Sequence, residues 1–361
     1  MNLQRFVNLT SQYTKLRIAV VGDFCLDRYL DIDPGKQETS IETHLSVLNV
    51  VNVRAQAGAA GTVVNNLVDL GVGLIYPIGF CGQDGEGFEL RAALTALRGV
   101  QMDHLLASPL RRTFCYCKPI VIEPGKAPRE LQRLDSKNWT PTPRAVVEQI
   151  LKSLAAMRGK VDMVVVLEQV NEPETGVITS EVREALADFL PDTLVMADSR
   201  RGLGCYPPVI FKMNAVELGI LAALPGLVGL KQIQDTALEL AAKNRRAVIV
   251  TLAERGIVAA QPDGTLVHVP AFPLRGQIDV VGAGDAVTAN AAAALAAGAT
   301  LAETIELAAA GASIVLHQLG TTGSASVSQL HELMFPGKNA FTGSGASARP
   351  ASPNLADSMG A

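Results

Sequence analysis

Apolar and polar positions alternate along the chain in two patterns. Short, nearly continuous apolar runs occur at "LRIAVVGD", "GLIYPIGF", "VDMVVVLEQV", "TLVMADS" and "RAVIVTLAERG", and they predict strands buried on both faces. The stretches "GTVVNNLVDLG" and "GFELRAALTALRG" space their apolar residues as a helix does and stop at Gly. Strand and helix alternate, which predicts an α/β fold with a mainly parallel central sheet covered by helices on both faces. In such sheets ligands bind beyond the carboxyl ends of the strands. Residues 41–53, "IETHLSVLNVVNV", and 113–122, "TFCYCKPIVI", break the alternation. Both are β-branched and carry no helix signal, so they predict strands of a small accessory sheet. From Gly337 the chain turns rich in Gly, Ser, Ala and Pro. That composition predicts a disordered tail over 337–361 and leaves 1–336 as one domain.

Composition narrows the function classes. Of 361 residues, 48 % are hydrophobic and 18 % charged, enough for a large core. The net charge of −4 leaves no basic excess to hold a nucleic-acid backbone. The nearest approach to a membrane span, "ANAAAALAAGATLAETIELAAAGASIVL", is interrupted by Gly298, Glu303 and Glu306. The start of the chain has no signal-peptide pattern. Five cysteines, odd in number and never spaced C-x-x-C, fit reduced thiols of a cytoplasmic protein. The five histidines are dispersed without metal-ligand spacing, and no G-x-S-x-G elbow occurs.

The stretch "IDVVGAGDAVTAN", residues 278–290, concentrates the chemistry. Gly282 and Gly284 permit a tight turn, and the Ala-rich residues after them predict a helix closed by Gly298. A helix N-terminus attracts an anion, yet Asp285 places a negative charge there. From these residues alone two readings stand. Asp285 is a helix cap, or it is a base beside a turn that cradles a phosphoryl group.

Taken together, the motifs resemble the ribokinase-like (PfkB) carbohydrate kinase family over residues 16–330. "DVVGAGD" (279–285) resembles its C-terminal signature and "AGAAGTVVNNLVDLG" (57–71) its N-terminal one. "KMNAVE" (212–217) resembles its Asn-x-x-Glu motif; "ADSR" (197–200) and "VTLAERG" (250–256) resemble nucleotide-side segments. "VVGDFCLDRYLDI", "IGFCGQDGEGFELRAAL" and "QRLD" are most similar to the heptose-phosphate kinase branch. The resemblance implies a ribokinase-like fold with a β-sheet lid and transfer of a phosphoryl group from ATP to a sugar hydroxyl. It implies that Asp285 is the catalytic base and that the N–H groups of Gly282, Ala283 and Gly284 form an anion hole. Asp27, Gly58, Ala59 and Thr62 would face the sugar. Asp198, Thr251, Glu254 and Gly256 would lie beside the nucleotide, with Arg200 either facing the phosphates or plain surface. Asn214 and Glu217 would lie near Mg²⁺, the alternative being an N-cap with a first-turn acid. Asp23 either binds sugar or stabilises a turn. A homodimer through the lid is implied as well.

The chain departs from the family on the acceptor side. Ala59 replaces the second Gly of a Gly-Gly pair, Thr62 replaces an Asn, and "EQVNEPETG" replaces a Ser-Asp-Tyr segment. On the nucleotide side Ala253 stands where the family often has Gly. These departures imply a non-standard acceptor, and they leave open a non-catalytic sugar- or nucleotide-binding relative. A dinucleotide-binding dehydrogenase fits poorly, because "GDFCLD" rather than G-x-G-x-x-G follows the first strand.

Overall fold

The first half of the chain, after helix α1 (Leu3–Thr10), builds strands β1 (Arg17–Gly22), β2 (Phe24–Ile32), β3 (Glu38–Thr39), β4 (Ser46–Val47) and β5 (Val50–Ala59). Helix α2 (Ala60–Asp69), β6 (Leu74–Gly82), α3 (Gly85–Thr95), β7 (Leu105–Ser108), β8 (Phe114–Val121), β9 (Arg129–Glu130) and β10 (Leu134–Ser136) follow. The second half adds α4 (Arg144–Met157), β11 (Met163–Glu168), α5 (Ser180–Ala185), β12 (Leu194–Ser199), β13 (Ile210–Asn214), α6 (Ala215–Leu221) and α7 (Leu230–Asn244). It ends with β14 (Val248–Thr251), β15 (Ile257–Ala260), β16 (Leu266–Val269), α8 (Ala283–Ala296), α9 (Leu301–Leu316) and α10 (Val327–Met334). The structure, a computed structural model, describes residues 1–338 except 225, 227 and 228. Apart from its first two residues, the tail expected at 337–361 lies outside the described residues.

Nine strands form the central sheet in the order β16-β15-β14-β13-β12-β11-β1-β6-β7. The pairs from β7 through β14 are parallel, and β15 and β16 add an antiparallel edge. The central strands are apolar throughout because helices cover both faces. Ile18 to Val21 and Met163 to Val166 are fully buried. Helix α8 buries every residue from Ala286 to Ala294, most of them alanines. Small side chains let it pack between α2 and α9. No described helix is long and apolar enough to cross a membrane.

A second sheet, in the order β10-β8-β2-β5 with β9 beside β8, forms a lid. The accessory strand expected at 113–122 coincides with β8. The one expected at 41–53 is displaced: residues 41–43 form a turn, β4 pairs only with β3, and the lid strand is Val50–Ala59. Its second half, "RAQAGA", has no β-branched residue, yet the backbone keeps pairing with β2. The sequence "LRIAVVGDFCLD" predicts Asp27 just beyond the first core strand. That residue lies instead in the middle of β2, inside the lid sheet.

Candidate active site

The carboxyl ends of the core strands carry polar residues in register. Glu168 pairs with Ser199, Asp198 with Lys212, and Asn214 with Thr251. These ends floor a cleft of about 840 Å³ whose opposite wall is the lid and whose side is the turn at 280–285. Lys212 is buried, and its Nζ donates to Asp198 Oδ2 at 2.6 Å. Thr288 Oγ1 donates to the same oxygen at 3.2 Å. Burial works to lower the pKa of the Lys212 ammonium, but Asp198, with Asp285 and Glu217 nearby, holds it above its ordinary value.

Gly282 sits at the N-cap of α8 with φ +83°, and a Cβ there would come within 2.0 Å of the Thr322 carbonyl oxygen. Only Gly fits that turn. Asp285 is thus inside the first helical turn and not the cap, so capping does not explain its charge. The Ala283 N–H is engaged by the Val280 carbonyl at 3.3 Å. The N–H groups of Gly282 and Gly284 have no acceptor among the described residues and are open to a ligand. The Asp285 carboxylate has no hydrogen-bond donor among the described residues. It lies low in the cleft, where burial pushes its pKa up to about 7 against the pull of Lys212.

Asn214 and Glu217 form a complete capping box on α6. Asn214 Oδ1 accepts from the Glu217 N–H at 2.9 Å, and Glu217 Oε2 accepts from the Asn214 N–H at 2.8 Å. Both residues also line the cleft, and burial raises the pKa of Glu217. Thr251 lines the cleft, as do Asp198 and Arg200. Glu254 and Gly256 do not; they lie at the turn between β14 and β15.

On the lid side, Asp27 is buried and lines the cleft, 3.9 Å from Lys118 Nζ. Burial raises its pKa, with Lys118 and Arg133 opposing. Gly58 does not itself line the cleft but makes room for it: a Cβ would come within 2.4 Å of Asp27 Oδ2. Ala59 and Thr62 line the cleft, and the buried Thr62 Oγ1 has no hydrogen-bond partner among the described residues. Asp23 is fully engaged elsewhere. Its two oxygens accept backbone N–H bonds from Gln169, Val170 and Val177 at 2.7–2.9 Å, tying the loop after β11 in place.

Sequence reasoning passed over Lys212, Lys118, Arg133 and Lys137, all of which line the cleft. For the first two a signal existed. Each is the lone charged residue of its strand, "IFKMN" and "FCYCKPIV". A cation rarely enters such a strand without a partner. Arg133 lies over the Tyr116 ring at 5.0 Å.

Comparison with known proteins agrees with this geometry. Residues 15–327 match the pfkB family carbohydrate kinase description. A curated relative, the bifunctional protein HldE of Bradyrhizobium sp. (strain ORS 278), is 26 % identical over 347 residues, covering 92 % of this chain and 66 % of that protein. The chain therefore spans about two-thirds of that relative's length. Phosphofructokinase-2 from Escherichia coli, solved with fructose-6-phosphate, superposes with a TM-score of 0.67 at 16 % identity, covering 88 % of this chain and 98 % of the other. Arabidopsis thaliana ribokinase, solved with ribose and ATP, gives 0.63 at 19 % identity with the same coverage. With a sequence match over most of its length and a shared sheet-and-lid architecture, this chain belongs to the PfkB family of carbohydrate kinases.

Proposed function

We propose that the protein transfers a phosphoryl group from ATP to a hydroxyl of a sugar that already bears an anionic group. The observation that carries this reading is the Asp285 carboxylate, unpartnered and raised to about 7, beside two open N–H groups in one cleft. Asp285 takes the proton from the acceptor hydroxyl. The Gly282 and Gly284 N–H groups stabilise charge on the transferring group, and Lys212, fixed by Asp198, adds a cation at the same end. Asp27 accepts hydrogen bonds from the acceptor's hydroxyls, and the orphaned Thr62 hydroxyl supports a polar ligand beside it.

Among the described residues no group of three His, Cys, Asp or Glu could hold a metal ion alone. That suits Mg²⁺, which keeps several waters and takes its remaining ligands from phosphates. Asn214 and Glu217, both through water, would hold it. When bound, it neutralises phosphate charge.

The anionic acceptor is supported by the cations of the lid side: Lys118 faces Asp27 and Arg133 is paired with Asp135, while Lys137 lines the cleft with no acid partner among the described residues. The free cysteines support a cytoplasmic site of action, and the lid supports a homodimer.

The test is ADP release from Mg-ATP with a panel of free sugars and sugar phosphates. The expected result is turnover on a sugar phosphate, poor turnover on ribose, and a loss of at least about a hundredfold in Asp285→Asn. Efficient phosphorylation of ribose overturns the acceptor class. Wild-type turnover in Asp285→Asn overturns the base. No ADP release with any acceptor, from folded protein that binds ATP, leaves the non-catalytic relative.

A further inference from the structure

We infer that Gln56 is a positioning residue that ties the acceptor-binding sheet to the phosphoryl-binding turn; this rests on the reading of that turn given above. Gln56 of β5 is the direct cross-strand partner of Asp27 of β2, so the two side chains share the inner face of the lid. Gln56 does not line the cleft. Its amide is used at both ends: Nε2 donates to Thr322 Oγ1 at 2.8 Å, and Oε1 accepts from Thr321 Oγ1 at 3.1 Å. Two residues earlier on the same face, Arg54 Nη1 donates to the Gly320 carbonyl at 3.2 Å. One strand face thus grips three successive residues of the 320–322 loop.

That loop supports the turn. The Thr322 carbonyl lies so close under Gly282 that not even a methyl fits between them. The Gly320 N–H donates to Asp279 Oδ2 at 3.2 Å, the Val281 N–H to Asp279 Oδ1 at 3.0 Å, and the Asp279 N–H to the Leu316 carbonyl at 2.8 Å. Close-packed contacts leave no slack, so a shift of Thr322 moves Gly282 with it. An amide is suited to the clasp because it offers a donor and an acceptor in one plane and orients two hydroxyls at once. Where the acceptor settles against Asp27, the neighbouring Gln56 holds the loop that sets the N–H group of Gly282.

Gln56→Leu keeps the bulk and removes both hydrogen bonds; Thr321→Val removes one from the other side. The probe is Mg-ADP with aluminium fluoride, which fills the place of the transferring group. The quantity read is the tightening of ADP binding that fluoroaluminate produces. Gln56→Leu is expected to lose about tenfold of that tightening, with ADP affinity in the absence of fluoroaluminate unchanged. Thr321→Val is expected to lose less, and the combined variant no more than Gln56→Leu alone. Full tightening in Gln56→Leu, equal loss in ADP affinity alone, or losses that multiply in the combined variant each overturn the inference. Should Gln56→Leu not fold, undiminished tightening in Thr321→Val overturns it by itself. Absence of tightening in the wild-type protein shows instead that the turn does not bind a phosphoryl group, and the inference falls with that reading.

Discussion

A proton acceptor has to be ionised, and burial keeps Asp285 protonated up to about pH 7. The value of kcat/KM should therefore fall as pH drops through about 7, and a pH–rate profile checks this. A limb near 4, the value of an ordinary carboxylate, would show either that Asp285 is not raised in this way or that another group controls the rate. Stability carries the same signature with a defined sign. The folded-state pKa is raised above the ordinary value of 3.8, so the folded protein binds the extra proton between those limits. The wild type meets no penalty below about pH 4. Relative to Asp285→Asn it loses stability as pH rises through the window up to about 7, and the loss is complete above that. Thermal melts of the two proteins across that window should diverge upward in pH. The neighbouring Asp198 is ion-paired with Lys212 and accepts a hydrogen bond from Thr288, whereas the Asp285 carboxylate has no such donor among the described residues.

At the scale of elements, the junction between β5 and α2 is under strain. Ala59 caps α2 with φ +51° and ψ −117°, a conformation that favours glycine. Ala253, the other alanine where the family often has Gly, also has positive φ, at +52°. The backbone thus keeps a glycine shape at both positions while the side chain has changed. Ala59→Gly should raise stability by about 1 kcal/mol, after the extra chain entropy of Gly is subtracted. Urea unfolding checks it, and a lower midpoint with an unchanged slope would show that the Ala59 methyl contributes more by packing than the strain costs. The same junction shows what was legible in the sequence. The core strands declared themselves because burial on both faces makes them apolar throughout, as in Met163 to Val166 of β11. The turn at 279–285 was legible because the positive φ of Gly282, with the Thr322 carbonyl packed against it, admits only glycine there. Strand β2 was not foreseen, although "CLDRYLDI" alternates Leu26, Arg28, Leu30 and Ile32 with Cys25, Asp27, Tyr29 and Asp31. Its charged residues Asp27, Arg28 and Asp31 break the continuous apolar run that marks the core strands. The lid cations Arg133 and Lys137 gave no local signal, since their role depends on which strand folds opposite them.

At the scale of the whole molecule, the lid sheet has two unlike faces. The inner face holds Asp27, Tyr116 and Lys118 and looks into the cleft. The alternation of β5 puts Asn52, Arg54 and Gln56 on that side, and Val51, Val53 and Ala55 on the other. Val51 and Val53 are each 48 % exposed, and Leu134 on the far edge is 64 % exposed. β5 is also an edge strand, ten residues long, with one side of its backbone unpaired. A long apolar edge is an aggregation hazard in a monomer, and a second copy of the same sheet would cover both the edge and the face. The proposed homodimer through the lid answers both. Sedimentation velocity at micromolar concentration should show a dimer for the wild type and a monomer for Val51→Glu/Val53→Lys, whose new charges lie on the outer face and leave the cleft untouched. A wild-type monomer, or a dimer that survives the double substitution, would place the contact elsewhere or remove it.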